Sequence, residues 1–395
     1  MKVSVWRERF LRRDERGRPV IPGFVTYVSK DKPILLHRLG RVDRSDTYDD
    51  YVDMFSYDNG GTWKQPILHL KSENIEDGKI RYGEQAALFD PETERLIVII
   101  NKSFHPYDRF NPDVHHLTVS LVQEIYNPVA NTWSELTPLE MNFPGRVAVS
   151  FCHPIKTSKG RLVFPAQSTY LDKNNKPIHY RGCWAPANIV VNILGDYHKN
   201  GTIKWKTSKP VFPDLEKTSR GFSEPTVAEL KDGRFAMIMR GDNSMFPERP
   251  GYKWVSFSED HCETWTEPVP LPCDDGEPIE SSSSGSMLFR SIKNGKLYWI
   301  GNLCIEGIRP RGNFPRTPLV IAEVQEKPFF ALKRSSITII DKQAPGEPHT
   351  LQLSNFRIYQ DRENGDIVLF LSRYGEYSAE NWMLADYYRY RIRLS

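Results

Sequence analysis

Apolar residues in this chain come in short alternating runs, each introduced by a polar turn, and six of the runs share one layout. They are Lys30 to His37 (KDKPILLH), Glu92 to Ile99 (ETERLIVI), Ser158 to Pro165 (SKGRLVFP), Lys231 to Ile238 (KDGRFAMI), Lys293 to Ile300 (KNGKLYWI) and Glu363 to Phe370 (ENGDIVLF). A Gly, Asn or Asp near the tip lets the chain reverse, and the run that follows presents alternate side chains to two faces, the signature of a strand after a tight turn. First residues of successive runs lie 62 to 73 positions apart, so six such units fill the 395 residues. A single four-stranded sheet cannot cover both of its own faces. Repeats of this length therefore predict an all-β protein whose sheets stack in a ring, a six-bladed β-propeller forming one domain over residues 1–395. A seventh, irregular blade within residues 182–209, where the spacing is longest, is the alternative.

Composition agrees with a loop-rich β protein: 12% of residues are aromatic and 29 are proline. The 53 basic and 50 acidic residues leave a formal charge of only +3, a mixed field that calls for neither nucleic acid nor a membrane surface as partner. The first residues (MKVSVWRERFLRRDERGRP) contain no apolar segment of signal-peptide length, so a cytoplasmic location is the expectation. Five cysteines, Cys152, Cys183, Cys262, Cys273 and Cys304, are odd in number and widely spaced, which predicts reduced thiols and no zinc site. The adjacent pair His115 and His116 would face opposite sides of a strand and so cannot grip one ion together. No phosphate-binding or dinucleotide glycine pattern occurs, and no cofactor is expected.

Two segments repeat a tighter pattern, Ser56-Tyr57-Asp58-Asn59-Gly60-Gly61-Thr62-Trp63 and Ser258-Glu259-Asp260-His261-Cys262-Glu263-Thr264-Trp265. Both resemble the Asp-box of the sialidase superfamily, a hairpin in which Ser and Asp bond the turn backbone while Trp packs between strands, so the box is structural. The resemblance extends to Ser223-Glu224-Pro225-Thr226 followed 16 residues later by Arg240, and to Ser284-Gly285-Ser286 and Arg316-Thr317-Pro318. It implies a sialidase-like propeller whose central pocket holds Glu224 with Arg240 and Arg316. Two planar guanidiniums suit a carboxylate, which each can bond bidentately. The implied activity is hydrolysis releasing a terminal carboxylated sugar, sialic acid or a relative, from an acidic oligosaccharide or glycoconjugate. The reading of the residues by themselves is plainer, with each Arg paired to an acid of its own blade.

Several family positions are altered. The Arg-Ile-Pro of sialidases is replaced by Arg18-Pro19-Val20-Ile21-Pro22, which leaves Arg38 or Arg41 to supply the missing guanidinium and Asp43 or Asp46 the acid. Arg373, after the sixth run, is a further candidate for substrate contact. The family's tyrosine nucleophile falls on Phe356, which has no oxygen, with Tyr359 three residues on and Tyr374 and Tyr377 further along. Two alternatives follow. One is a lyase acting on a uronic-acid glycan, with an Arg neutralising the carboxylate and His153 or a pocket Tyr removing the C5 proton; His105, His115, His116 and His179 are weaker candidates. The other is a propeller that binds glycans without chemistry. At the end of the chain, Tyr388 to Ile392 has the composition of a strand that closes the ring with the opposite terminus.

Overall fold

The computed structural model describes residues 2–151, 153–305 and 307–394. It is a six-bladed β-propeller, and each of the six alternating runs supplies the second strand of a blade. Blade one pairs Val20–Tyr27, Leu35–Arg44, Thr47–Ser56 and Ile67–Leu70 in that order. Blade two is built on Gly78–Asp90, Arg95–Pro106 and Val119–Asn127, blade three on Val147–Val149, Leu162–Thr169, Asn188–Tyr197 and Ile203–Thr207. Ser223–Glu229, Phe235–Arg240 and Lys253–Ser258 form the body of blade four, and Met287–Arg290, Leu297–Asn302 and Leu319–Gln325 that of blade five. The long interval at 182–209 is absorbed by the third and fourth strands of blade three, and the seventh blade is ruled out.

Ring closure follows from the termini. In blade six, Arg357–Gln360, Ile367–Ser372 and Tyr387–Leu394 are completed by the N-terminal strand Val3–Leu11, in a register running from Val3 opposite Leu394 to Arg9 opposite Tyr388. The strand pairs an edge that would otherwise be open. Six separate apolar clusters fill the six gaps between neighbouring blades. Fully enclosed residues such as Trp299 and Phe164 each contribute about 1.5–3 kcal/mol by leaving water.

Both Asp-boxes are turns stapled from within. Asp58 accepts from the Thr62 backbone N–H at 2.8 Å and from the Ser56 hydroxyl at 2.8 Å, and these bonds hold its carboxyl down at about 2. Asp260 repeats the contacts with Thr264 and Ser258. The boxes follow the third strand of their blades, at the end of the ring opposite the cleft described below. Among the described residues the single α-helix is Pro112–Thr118, and no helix is long and apolar enough to cross a membrane. It corrects the expectation for His115 and His116, which sit on this helix and not on a strand: Asn111 caps it and Pro112 starts it. Cys183, Cys262, Cys273 and Cys304 are free and buried; Cys152 lies outside the described residues.

Candidate functional site

A cleft opens on the face of the ring where the first strand of each blade begins. Blade four builds its cationic wall. The strand Ser223–Glu229 pairs antiparallel with Phe235–Arg240, which sets Ser223 opposite Arg240 and brings Glu224 beside that guanidinium. A register shift between Ser223 and Thr226 puts Glu224 at φ +46°, and its N–H is held by Gln167 Oε1 at 2.8 Å from blade three. That backbone conformation is costly for a residue with a Cβ and persists only because its neighbours over-determine it.

Arg240 uses one N–H of each guanidinium nitrogen, on Glu224 Oε1 at 2.7 Å, Ser283 Oγ at 2.7 Å and Asn313 Oδ1 at 2.9 Å, which leaves two of its five donors for a ligand. The other carboxylate oxygen, Glu224 Oε2, is buried with no partner among the described residues, and a Cβ on Gly285 would lie 3.1 Å from it. Gly285 therefore leaves room beside that oxygen. Burial pushes the Glu224 carboxyl up, but Arg240, Arg316 and Lys253 outweigh it and the net shift is downward.

Two cations of this wall carry no signal in the motifs. Arg220, four residues before Glu224, faces the cleft with its guanidinium 4.6 Å from the ring of the exposed Trp184, 3.8 Å from Asp242, and with Nε unpartnered among the described residues. Lys253 lies opposite Arg240 in the next strand and is enclosed, donating to the carbonyls of Ser282 at 2.9 Å and Ser284 at 2.5 Å. Burial, reinforced by Arg240, brings its ammonium down to about 7. Arg316 is only 9% exposed and stands behind Arg240, donating to Gln352 Oε1 at 2.9 Å and to the Ser283 carbonyl at 3.1 Å; burial lowers it to about 10. The family resemblance implies that Arg240 and Arg316 project together into one pocket. In the fold Arg220 occupies the wall and Arg316 the layer beneath it.

Blades one and two form the facing wall. Asp46 sits at the exposed tip of the hairpin joining Leu35–Arg44 to Thr47–Ser56, with Tyr48 just inside. Glu84, Asn101, His105 and His115 complete it. Burial draws both imidazoles down to about 4, so they are neutral near pH 7. Among the described residues no group of three His, Cys, Asp or Glu side chains is arranged to hold a metal ion.

Other candidates stand elsewhere, each for a physical reason. Arg38 is fully enclosed between blades one and two, bonded to Asp53 at 2.7 and 3.0 Å, to Glu124 at 2.5 Å and to Gln85 at 3.2 Å, so it cannot meet substrate. Arg41 donates to the Arg18 carbonyl at 3.1 Å, away from the cleft. Asp43 is taken up by Arg18 at 3.3 Å and Arg81 at 3.3 Å, leaving Asp46 as the acid at the rim. Arg373 is buried against Asp341, Glu347 and Glu376. Tyr359 packs on Tyr27 and Phe370 beside the Asp-box glycine Gly60, at the wrong end of the ring for a nucleophile. Tyr374 donates to the Val20 carbonyl at 3.1 Å and Tyr377 to Asp386 at 2.9 Å. His153 is outside the cleft; burial and the nearby Arg357 hold it at about 4. His116 faces the neighbouring groove, and His179 is fixed by Asp113 at 3.0 Å and the Cys183 carbonyl at 2.8 Å.

The position after Asn355 is reversed in sense. Arg357 points across the axis, donating to the Gly23 carbonyl at 2.8 Å and stacking 4.4 Å from the Phe151 ring. Alternation then turns Phe356 outward into the apolar gap between blades five and six, where it is 4% exposed.

Comparison with known proteins adds the following. Residues 54–277, more than half of the chain, match the family model described as a BNR repeat-like domain. A search of curated proteins found no match. Among solved structures, the Hadza microbial sialidase Hz136 superposes with a TM-score of 0.62 at 16% identity, covering 94% of this chain and 65% of that one. Trypanosoma rangeli sialidase in complex with sialic acid gives a TM-score of 0.62 at 13% identity, over 98% of this chain and 58% of that one. The chain thus spans less than two thirds of the length of these two sialidases. The intramolecular trans-sialidase from Ruminococcus gnavus, in complex with oseltamivir carboxylate, matches at TM-score 0.62 and 15% identity over 93% of both chains. At these identities the likeness is one of fold.

Proposed function

Since the chain belongs to the family of BNR repeat-like domains, and its fold is that of the sialidase propellers, we propose that it is an exo-acting glycosidase releasing a terminal carboxylated sugar from a glycan. One observation carries the reading. Around Glu224 four cationic groups, Arg220, Arg240, Lys253 and Arg316, meet two carboxylates, Glu224 and Asp242. The excess positive charge lies in and just behind one wall of the cleft, where an incoming carboxylate would gain charge-assisted bonds to Arg220 and Arg240. Arg316 and Lys253 would act from behind, through the serine loop. The ionised Glu224 would face the positive charge that develops at the sugar as the glycosidic bond weakens.

Elimination from a uronic-acid chain is the second reading, supported by His105 and His115 in the cleft. It is the weaker one, because imidazoles held at about 4 are poor bases for a carbon acid. The test measures binding of free sialic acid and of glucuronic acid by calorimetry, together with products from sialyllactose and from a uronate oligosaccharide. Arg240→Ala is expected to lose one charge-assisted fork, roughly 1.5–3 kcal/mol, or about 10- to 150-fold in affinity. Unchanged affinity in Arg240→Ala and in Arg220→Ala would sink the assignment. A product absorbing in the ultraviolet through a new C=C bond would move the reading to elimination.

A further inference from the structure

We infer that Glu84 is the group that passes a proton to the departing oxygen of the substrate, held for the task by Tyr48 and Asn101; the inference rests on the glycosidase reading above. No motif marks this residue. It lies where the long strand Gly78–Asp90 loses register with Arg95–Pro106, between Tyr82 and Gln85. Such an irregularity re-aims a side chain. Gln85 points into the gap between blades, towards Arg38, and Glu84 turns the other way, into the cleft. The Tyr51 hydroxyl fixes the irregular stretch by donating to the Gly83 carbonyl at 3.0 Å.

Both carboxyl oxygens are held, and neither by a cation. Tyr48 donates to Oε1 at 2.8 Å and the Asn101 amide to Oε2 at 3.2 Å. Asn101 is itself fixed by the Val149 backbone, giving to its carbonyl at 2.8 Å and accepting from its N–H at 2.9 Å. Among the described residues Glu84 has no ion pair, unlike Glu224 with Arg240 at 2.7 Å. The titratable groups that face it are Asp46 from the hairpin tip and Tyr48 and Tyr51 from the strand Thr47–Ser56. Burial raises the Glu84 carboxyl above its ordinary value and Asp46 adds to the rise, outweighing the lowering bonds from Tyr48 and Asn101, while both tyrosines are raised too and keep their protons.

One cleft therefore holds two carboxyls whose surroundings push them in opposite directions, Glu84 towards the acid and Glu224 towards the anion. That division is how paired carboxyls come to take an acid and an anionic role. Asp46, by contrast, is solvated at φ +58° on a turn, bonded to Ser45 at 2.9 Å. In the step assigned here, the Glu84 O–H bond breaks and its proton goes to the glycosidic oxygen as the C–O bond to the anomeric carbon breaks. Water then adds its oxygen to that carbon, giving one proton to the Glu84 carboxylate and keeping the other as the new hydroxyl. Atoms and charge close without any co-reactant beyond water.

The experiment compares sialyllactose, whose sugar leaving group needs a proton, with the nitrophenyl sialoside, whose leaving group departs as a stable anion. Glu84→Gln keeps the shape and one acceptor oxygen, and replaces the other oxygen by an amide that can only donate. It is expected to lose about 10²–10⁴-fold in kcat on sialyllactose and little on the nitrophenyl sialoside, and to lose the basic limb of the kcat pH profile. Tyr48→Phe removes a bond that favours the charged form, so the basic limb should move to higher pH; this second variant decides the matter if Glu84→Gln melts early. Equal losses on the two substrates, or an unchanged kcat on sialyllactose, overturns the role of Glu84 and leaves the glycosidase reading standing. No turnover of either substrate by the unaltered protein overturns both.

Discussion

Arg38 offers the sharpest separation between a cation that builds the ring and one that binds substrate. Its guanidinium is 0% exposed and lies between the rings of Phe24, at 5.0 Å, and Trp133, at 4.6 Å. It neutralises Asp53 in its own blade and Glu124 in the next, and His69 touches both acids, at 3.3 and 2.9 Å. Arg38→Met would keep the stem and strand two carboxylates whose side chains are 4% and 2% exposed. Breaking a buried pair in this way costs about 3–5 kcal/mol. At roughly 2 cal/mol/K of unfolding entropy per residue, a chain of 395 residues should then melt about 4–6 °C lower.

The sign with pH is fixed as well. Arg38 leads the charges that offset burial and hold the Glu124 carboxyl below its ordinary value. This stabilisation is present above the unfolded pKa of the glutamate and is lost as pH falls through the lower folded one. In Arg38→Met that order reverses, and acidification should narrow the gap to the unaltered protein. Adding Asp53→Asn and Glu124→Gln should restore most of the melting temperature, since the stranded charges go too. Thermal melts by circular dichroism across pH, beside calorimetric binding of free sialic acid, give both readouts. A melting temperature within a degree of the unaltered protein together with a tenfold loss of affinity would refute the structural role and return Arg38 to the substrate.

Two further outcomes follow from the cleft and its neighbours. Lys253 loses its proton near pH 7, so affinity for a carboxylate ligand should weaken as pH rises through about 7. Lys253→Met should flatten that slope in calorimetry, and a slope that survives would place its origin elsewhere. Phe356→Tyr puts a hydroxyl into the apolar gap between blades five and six, so it should cost about 1–3 kcal/mol in urea unfolding and add nothing to turnover. A gain in kcat would mean that the ring reaches the cleft.

The architecture was legible because its causes are local. A turn residue followed by side chains of period two makes a hairpin wherever it occurs, and six hairpins at one spacing admit few arrangements besides a ring. Glu224 and Arg240 were legible through the family resemblance, and the register of one hairpin brings these residues, 16 apart in sequence, into contact. The Asp-boxes likewise carry their partners within four residues.

What the sequence could not determine was which of many identical side chains face the cleft. Arg38, Arg373 and Arg240 are the same residue at comparable places in their hairpins, yet partners from distant strands decide that two are buried ties and one lines a pocket. Glu124 lies 86 residues from Arg38, and Asp341 lies 32 from Arg373. The bulge that aims Glu84, the burial that moves Lys253, and the turn of Phe356 away from the axis appear only when blades pack. Local hydrogen bonding and alternation determine strands. The charge state and aim of a side chain depend on the field and volume around it, which the closed ring alone supplies.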